Sequence, residues 1–139
     1  MPNLKQRLIK AGTDFNYSEG VKVKALVAIA ANEIVRPTGY SGPFIEVGLA
    51  DATTPLQYNG RLMIAKHASP AGGYGVVLPW RLVSGVDTNA AAGVGSFVHL
   101  SDTPGAWAVA TGTDTVIVGT VVSKHATTGA ILFHKPAPG

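Results

Sequence analysis

From Val21 onward apolar and polar positions alternate with a period of two, which sends successive side chains to opposite faces of a β-strand. Val21, Val23, Ala25, Val27 and Ile29 share one face and Lys22 and Lys24 the other, until both faces turn apolar after Leu26. This predicts a first strand running into a core, with a helix over residues 25–34 as the competing local reading. Pro37, Gly39, Ser41, Gly42 and Pro43 predict a loop, and Phe44, Ile45, Val47 and Leu49 a second strand. Residues 51–55 are turn chemistry. Leu56–Ala65 reads as a strand broken by a hairpin turn at Asn59-Gly60. After the loop at Ser69–Gly73, Tyr74–Val83 is again strand, with Pro79 marking an edge or a bulge.

The second half carries the clearest signal. Gly95–Leu100 and Ala106–Ala110 read as a hairpin about Asp102-Thr103-Pro104-Gly105. Val116–Val122 is a strand with a bulge expected at Gly119, and Ala130–His134 returns after the turn at Thr127–Gly129. Short strands at this spacing predict an all-β fold, a small barrel or sandwich of roughly eight to ten antiparallel strands. Residues 1–20 hold few aliphatics and are read as an extended N-terminal arm, leaving 21–139 as a single β-domain.

Composition sharpens this picture. Charged residues make up only 14% of the 139, well under the roughly one quarter of a typical soluble domain. Between Val76 and His134 the only charges are Arg81, Asp87, Asp102, Asp114 and Lys124. A half-solvated sheet should show more, so these strands are expected to be covered on both faces or to pack on neighbouring subunits. The net charge of +3 resides in Lys5, Arg7 and Lys10, and no basic stripe interleaved with aromatics points to nucleic acid. Residues 1–12 lack the apolar stretch of a secretory signal, and Ala25–Ala31 is too short to span a bilayer, so a soluble protein is expected.

Candidate chemistry is sparse. No cysteine is present, which removes thiol nucleophiles and thiolate metal sites. His67, His99, His125 and His134 form no metal-binding motif, although His125 and His134 flank the last hairpin and could approach across it. Gly93-Val94-Gly95-Ser96-Phe97 resembles a nucleophile elbow only loosely, because its Ser leads into a strand and not a helix. The glycines at 72, 73 and 75 open no helix with a Lys, so no phosphate cradle is predicted. The expectation is a non-enzyme with no cofactor and no small-molecule substrate. Trp80 and Trp107 are read as core residues or, alternatively, as anchors of a subunit interface.

Residues 76–134 resemble small head proteins of tailed bacteriophages. The elements that carry the resemblance are a VG-x-x-V-x-L-S-D-T-x-G hairpin at Val94–Gly105, a V-x-V-V-G-x-V-like strand at Val116–Val121 and a T-x-G-x-x-x-L-like hairpin at Thr127–Leu132. The resemblance implies a capsid decoration (cement) protein, made in the host cytoplasm and carried on the outer capsid surface. Such proteins are commonly homotrimers at quasi-three-fold positions, where they clamp neighbouring copies of the major capsid protein. Neither nucleic acid nor membrane is an expected partner. On this reading Leu4, Lys5, Arg7, Leu8, Ile9 and Lys10 of the arm are the expected capsid contacts. A tail or fibre module stands second and a small β-barrel hydrolase third.

Overall fold

Short apolar strands leave unpaired backbone groups along their edges, and closing the sheet removes those edges. The computed structural model describes residues 20–134. Strands β1 (Val21–Ala25), β2 (Ile34–Ser41), β3 (Phe44–Leu49), β4 (Met63–Ala65) and β5 (Tyr74–Leu78) form a closed barrel in the order β1-β3-β2-β4-β5. The pairs are antiparallel except β1–β3, which is parallel, with Val23 opposite Ile45 and Ala25 opposite Val47. A ring of five strands cannot alternate direction all the way round, so one parallel pair is a geometric necessity that the all-antiparallel expectation missed. The barrel interior is filled by small and branched side chains, among them Val23, Val35, Val47, Met63 and Val77.

Pro79 ends β5, and the chain leaves the barrel into β6 (Trp80–Val86). With β7 (Phe97–Leu100), β8 (Trp107–Ala108), β9 (Ile117–Ser123) and β10 (Gly129–His134) it forms a second sheet in the order β6-β10-β9-β7-β8. One core joins the two layers. Ile34, Ile64 and Leu78, on the outside of the barrel, are buried in one cluster with Val98, Leu100, Val118, Ile131 and Phe133 of the sheet.

Backbone hydrogen bonds stitch the same seam. The Ile34 N–H donates to the Gly105 carbonyl (2.9 Å), Gly105 N–H to Ala50 (2.7 Å) and Ala50 N–H to Ile34 (3.0 Å), a closed ring of three. Ala52 N–H donates to Ser101 and Asp114 N–H to Ala52, at 3.0 and 2.9 Å. Gly105 sits at φ +80°, and a Cβ there would crowd Leu49 and Glu33 at about 3.0 Å. Asp102 holds the loop after β8: one carboxylate oxygen accepts the Thr113 N–H and the other its hydroxyl, both at 2.8 Å. These bonds, the backbone one foremost, hold the Asp102 carboxyl below its ordinary value of 3.8. Tyr58 donates its hydroxyl to Asp114 at 2.8 Å, and that bond, followed by burial and the carboxylate charge, raises the phenol above 10.0.

Several local expectations are corrected. Residues 37–41 are strand, because beyond Val35 strand β2 has only β3 beside it, and a strand tolerates proline at such an edge. The register shifts at Thr38 take up the irregularity. Residues 55–58 form a single helical turn, α1, with Pro55 at its start and Asn59 N–H bonded to the Pro55 carbonyl at 2.8 Å. The expected strand therefore shrinks to Met63–Ala65. The first strand stops at Ala25, no helix follows it, and Ile29 pairs with Ser69 in an isolated bridge. Near Gly119 the β7–β9 register does shift, with Val118 as the extra residue. The N-terminal arm lies outside the described residues, apart from Gly20.

Two outcomes test the seam. Gly105→Ala is expected to destabilise by about 2–3 kcal/mol, whereas Gly42→Ala, at φ +59° but in open space, costs about 1 kcal/mol in chemical denaturation. Because the folded Asp102 is the stronger acid, its contribution is complete above the unfolded value and is lost as pH falls below 3.8 through the folded one. Asp102→Asn should therefore flatten the fall in melting temperature below that pH. Tyr58 has the opposite sign, its contribution being lost only as pH rises past 10.0. An acid limb unchanged by Asp102→Asn would show that this carboxylate does not hold the loop.

Candidate docking surface

The side of the second sheet that faces away from the barrel is built by strand alternation. Val83, Ile131, Phe133, Val98 and Leu100 point inward and are buried, so their neighbours point out. Register then aligns Leu82 of β6 with Leu132 of β10, Leu132 with Thr120 of β9, and Thr120 with Phe97 of β7. This single cross-strand row spans four strands. Leu82 is 57% exposed and Phe97 54% exposed at its two ends. Beside the row, Trp80 lies opposite His134 and is 53% exposed, and Val122 is exposed on β9.

No charge stands on this face. The one charged residue in the five strands, Arg81, belongs to the inner side, where its guanidinium donates to the carbonyls of Lys66 (2.8 Å) and Ala65 (3.3 Å). Asp87, Asp102, Asp114 and Lys124 all lie in the connections between strands. An uncharged sheet face with an exposed Trp, Leu and Phe is the kind of surface that marks association. The charge depletion seen along the chain is thus located: the inner face is covered by the barrel, and among the described residues nothing covers the outer one.

The two tryptophans separate. Trp107 is half-buried and packs against the shared core, as a core residue should. Trp80 does not, because β6 is an edge strand and position 80 faces outward. The arm residues Leu4, Lys5, Arg7, Leu8, Ile9 and Lys10 lie outside the described residues.

The titratable groups are dispersed. His99 shares its Nδ1 with the Val109 carbonyl at 2.8 Å, and His67 reaches only the Ala68 carbonyl at 3.5 Å. His125 caps the last turn: its Nδ1 accepts the N–H groups of Thr127 (3.0 Å) and Thr128 (3.1 Å), which places the ring proton on Nε2. His125 and His134 do not meet. His134 ends the final strand and His125 lies in the turn before its start, with about 17 Å of extended chain, Gly129–His134, between them. Among the described residues no three His, Asp or Glu side chains converge on a metal-sized site. Ser96 bonds the Gly93 N–H through its hydroxyl at 3.2 Å, closing a turn. A cavity of about 330 Å³ at the barrel mouth is lined by Val21, Pro37, Ile45, Met63 and Pro79, with Arg61 its one charged residue.

On the opposite, free side of the barrel, strand pairing gathers what the sequence keeps apart. The Lys22 ammonium lies 5.4 and 5.5 Å from the ring centres of Phe44 and Tyr74. These rings come from strands on either side of β1, so no sequence window contains the cluster. Lys24 stands beside it, with Glu46 at the paired position across the parallel pair. The arrangement fits a packed cation better than a basic groove.

No family model, no curated protein and no solved structure matches the chain. The outer sheet face is therefore read on its own geometry. In the isolated chain, acrylamide should quench Trp80 freely and Trp107 poorly, read in Trp107→Phe and Trp80→Phe respectively. Equal quenching of the two would contradict the outward placement of Trp80.

Proposed function

We propose that this chain is a structural virion protein, a capsid decoration protein that binds the outer capsid surface as an oligomer and stabilises the head. The observation that carries the reading is the uncharged apolar face of the second sheet, ending in Leu82 and Phe97 and flanked by Trp80. A sheet with both faces apolar is suited to be covered twice, once by its own barrel and once by another chain. A partner that binds only the assembled shell stabilises that shell by mass action, so a protein with no chemistry of its own can still perform this work.

The residues behind the head-protein resemblance support the reading in a specific way. Ser101, Asp102 and Gly105 are the groups that fasten the sheet to the barrel and to the following loop. On this reading the pattern is a way of mounting an uncharged sheet face on a rigid base. The basic, aliphatic-bearing arm offers a second contact, with Lys5, Arg7 and Lys10 supplying charge and Leu4, Leu8 and Ile9 apolar area.

The test is co-sedimentation with shells assembled from major capsid protein alone. The wild-type chain is expected to sediment with them and to raise their melting temperature. Phe97→Lys should lower binding at least tenfold, because burying a lysine in an apolar interface is costly. Leu56→Lys, at an exposed residue on α1, should bind normally. Deleting residues 1–18 should weaken binding. Full binding by Phe97→Lys would remove the outer sheet face from the interaction, and label found on tails in place of heads would favour a tail or fibre module.

A further inference from the structure

We propose that β6 is an open pairing edge whose occupant is β6 of a second copy of this chain, joined antiparallel about a two-fold axis at Leu82. The proposal stands apart from the capsid reading and survives its loss.

Strand β6 has β10 on one side and, among the described residues, no strand on the other. Among the described residues no backbone hydrogen bond outside the ladders involves residues 80–86, so every second N–H and C=O of this strand has no partner among them. Exposed edges of this length are ordinarily guarded by proline, a charge, a bulge or a cover. The free half of β2 shows such guards, with Pro37 and the register shift at Thr38. The other edge of the second sheet, β8, is guarded by being two residues long. In β6 the single charge is withdrawn, since Arg81 is held by the Ala65 and Lys66 carbonyls. The register shift beside Gly85 leaves Trp80–Ser84 as a regular run.

Topology decides the occupant. The barrel is closed, β8 is too short and the free part of β2 is blocked, so the described chain offers one edge able to complete β6, and that is β6 itself. Only a self-pairing about a two-fold axis uses one edge twice. With Leu82 opposite its copy, Trp80 stands opposite Ser84 of the second copy, a large residue against a small one. The outer row Leu82–Leu132–Thr120–Phe97 then continues across the axis into its own image, doubling the apolar face. Strand β6 presents no free charge to this seam, so copies of net charge +3 meet there without like-charge contact. The interface is small, so pairing is expected to be concentration-dependent.

Light scattering after size exclusion, over a concentration series of the whole chain, provides the test. The wild type is expected to rise from the mass of one chain to that of two. Leu82→Lys and Leu82→Glu should each remain at one chain, because each sets like charges opposite one another. An equimolar mixture of the two should return to two chains. Leu82→Cys, the only thiol in a cysteine-free chain, should give a covalent dimer on oxidation, whereas Val94→Cys, 71% exposed but off the sheet, should not. Phe97→Lys should keep the two-chain mass even where it loses capsid binding, which separates failure of this edge from failure of the decoration reading. A three-chain mass, as the head-protein resemblance implies, would overturn the proposal. So would a one-chain mass at every concentration, or a two-chain mass indifferent to Leu82→Lys.

Discussion

The structure depends on a ring of three backbone hydrogen bonds among Ile34, Ala50 and Gly105. Each of these groups belongs to a different stretch of chain: the start of β2, the exit of β3 and the turn between β7 and β8. A buried backbone group without a partner costs on the order of 1–3 kcal/mol, so the ring holds only if all three stretches arrive together. Gly105 is the member that makes closure possible, since its backbone lies in the left-handed region and its missing Cβ clears Leu49 and Glu33. Around the ring, Ile34, Ile64 and Leu78 bury against the second sheet. Polar ring and apolar cluster reinforce each other, because the apolar contacts exclude the water that would compete for the hydrogen bonds.

From that seam follows a division of the molecule. The barrel closes on itself and spends its outer apolar residues on one side, against the sheet. The sheet cannot close, because its inner face is already taken and its two edges differ greatly in length. It is left with one face turned away from the barrel and one long edge, β6, which leaves the barrel directly after Pro79. The exposed aromatic and aliphatic residues of β6 and β7 are therefore a consequence of how the layers are stacked, and they concentrate where a partner could cover them.

The fold class was legible because period-two alternation survives wherever a strand has one face in the core, as in Val21–Ala25 and Gly129–His134. It failed where tertiary context overrode local chemistry. Pro37 reads as a loop residue in any window, yet its strand is completed by Phe44–Leu49 on one side. Leu56 reads as strand, yet Pro55 starts a helical turn and Tyr58 is drawn to Asp114, 56 residues away. The parallel β1–β3 pair follows from ring closure, which no local pattern encodes. The docking face was half legible. Missing charge between Val76 and His134 announced covered strands, but the exposure of Trp80 and the inward turn of Arg81 required the register with β10.

Charge depletion in this chain therefore has two separate physical origins. In the barrel the exterior retains Lys22, Lys24 and Glu46, as a solvated surface should. In the sheet, most inner positions are apolar because they face the shared core, whereas Leu82, Phe97 and Trp80 on the outer face, among the polar Ser84, Thr120 and His134, have no such reason inside the chain. A solvent-facing sheet can take Lys, Glu or Thr at such positions with little loss of stability. Leu82, Phe97 and Trp80 contribute little to the fold where they stand, and they carry a solubility cost. Folding alone does not call for these residue types, and on the reading proposed above their place in the chain is accounted for by a contact that the isolated chain does not make.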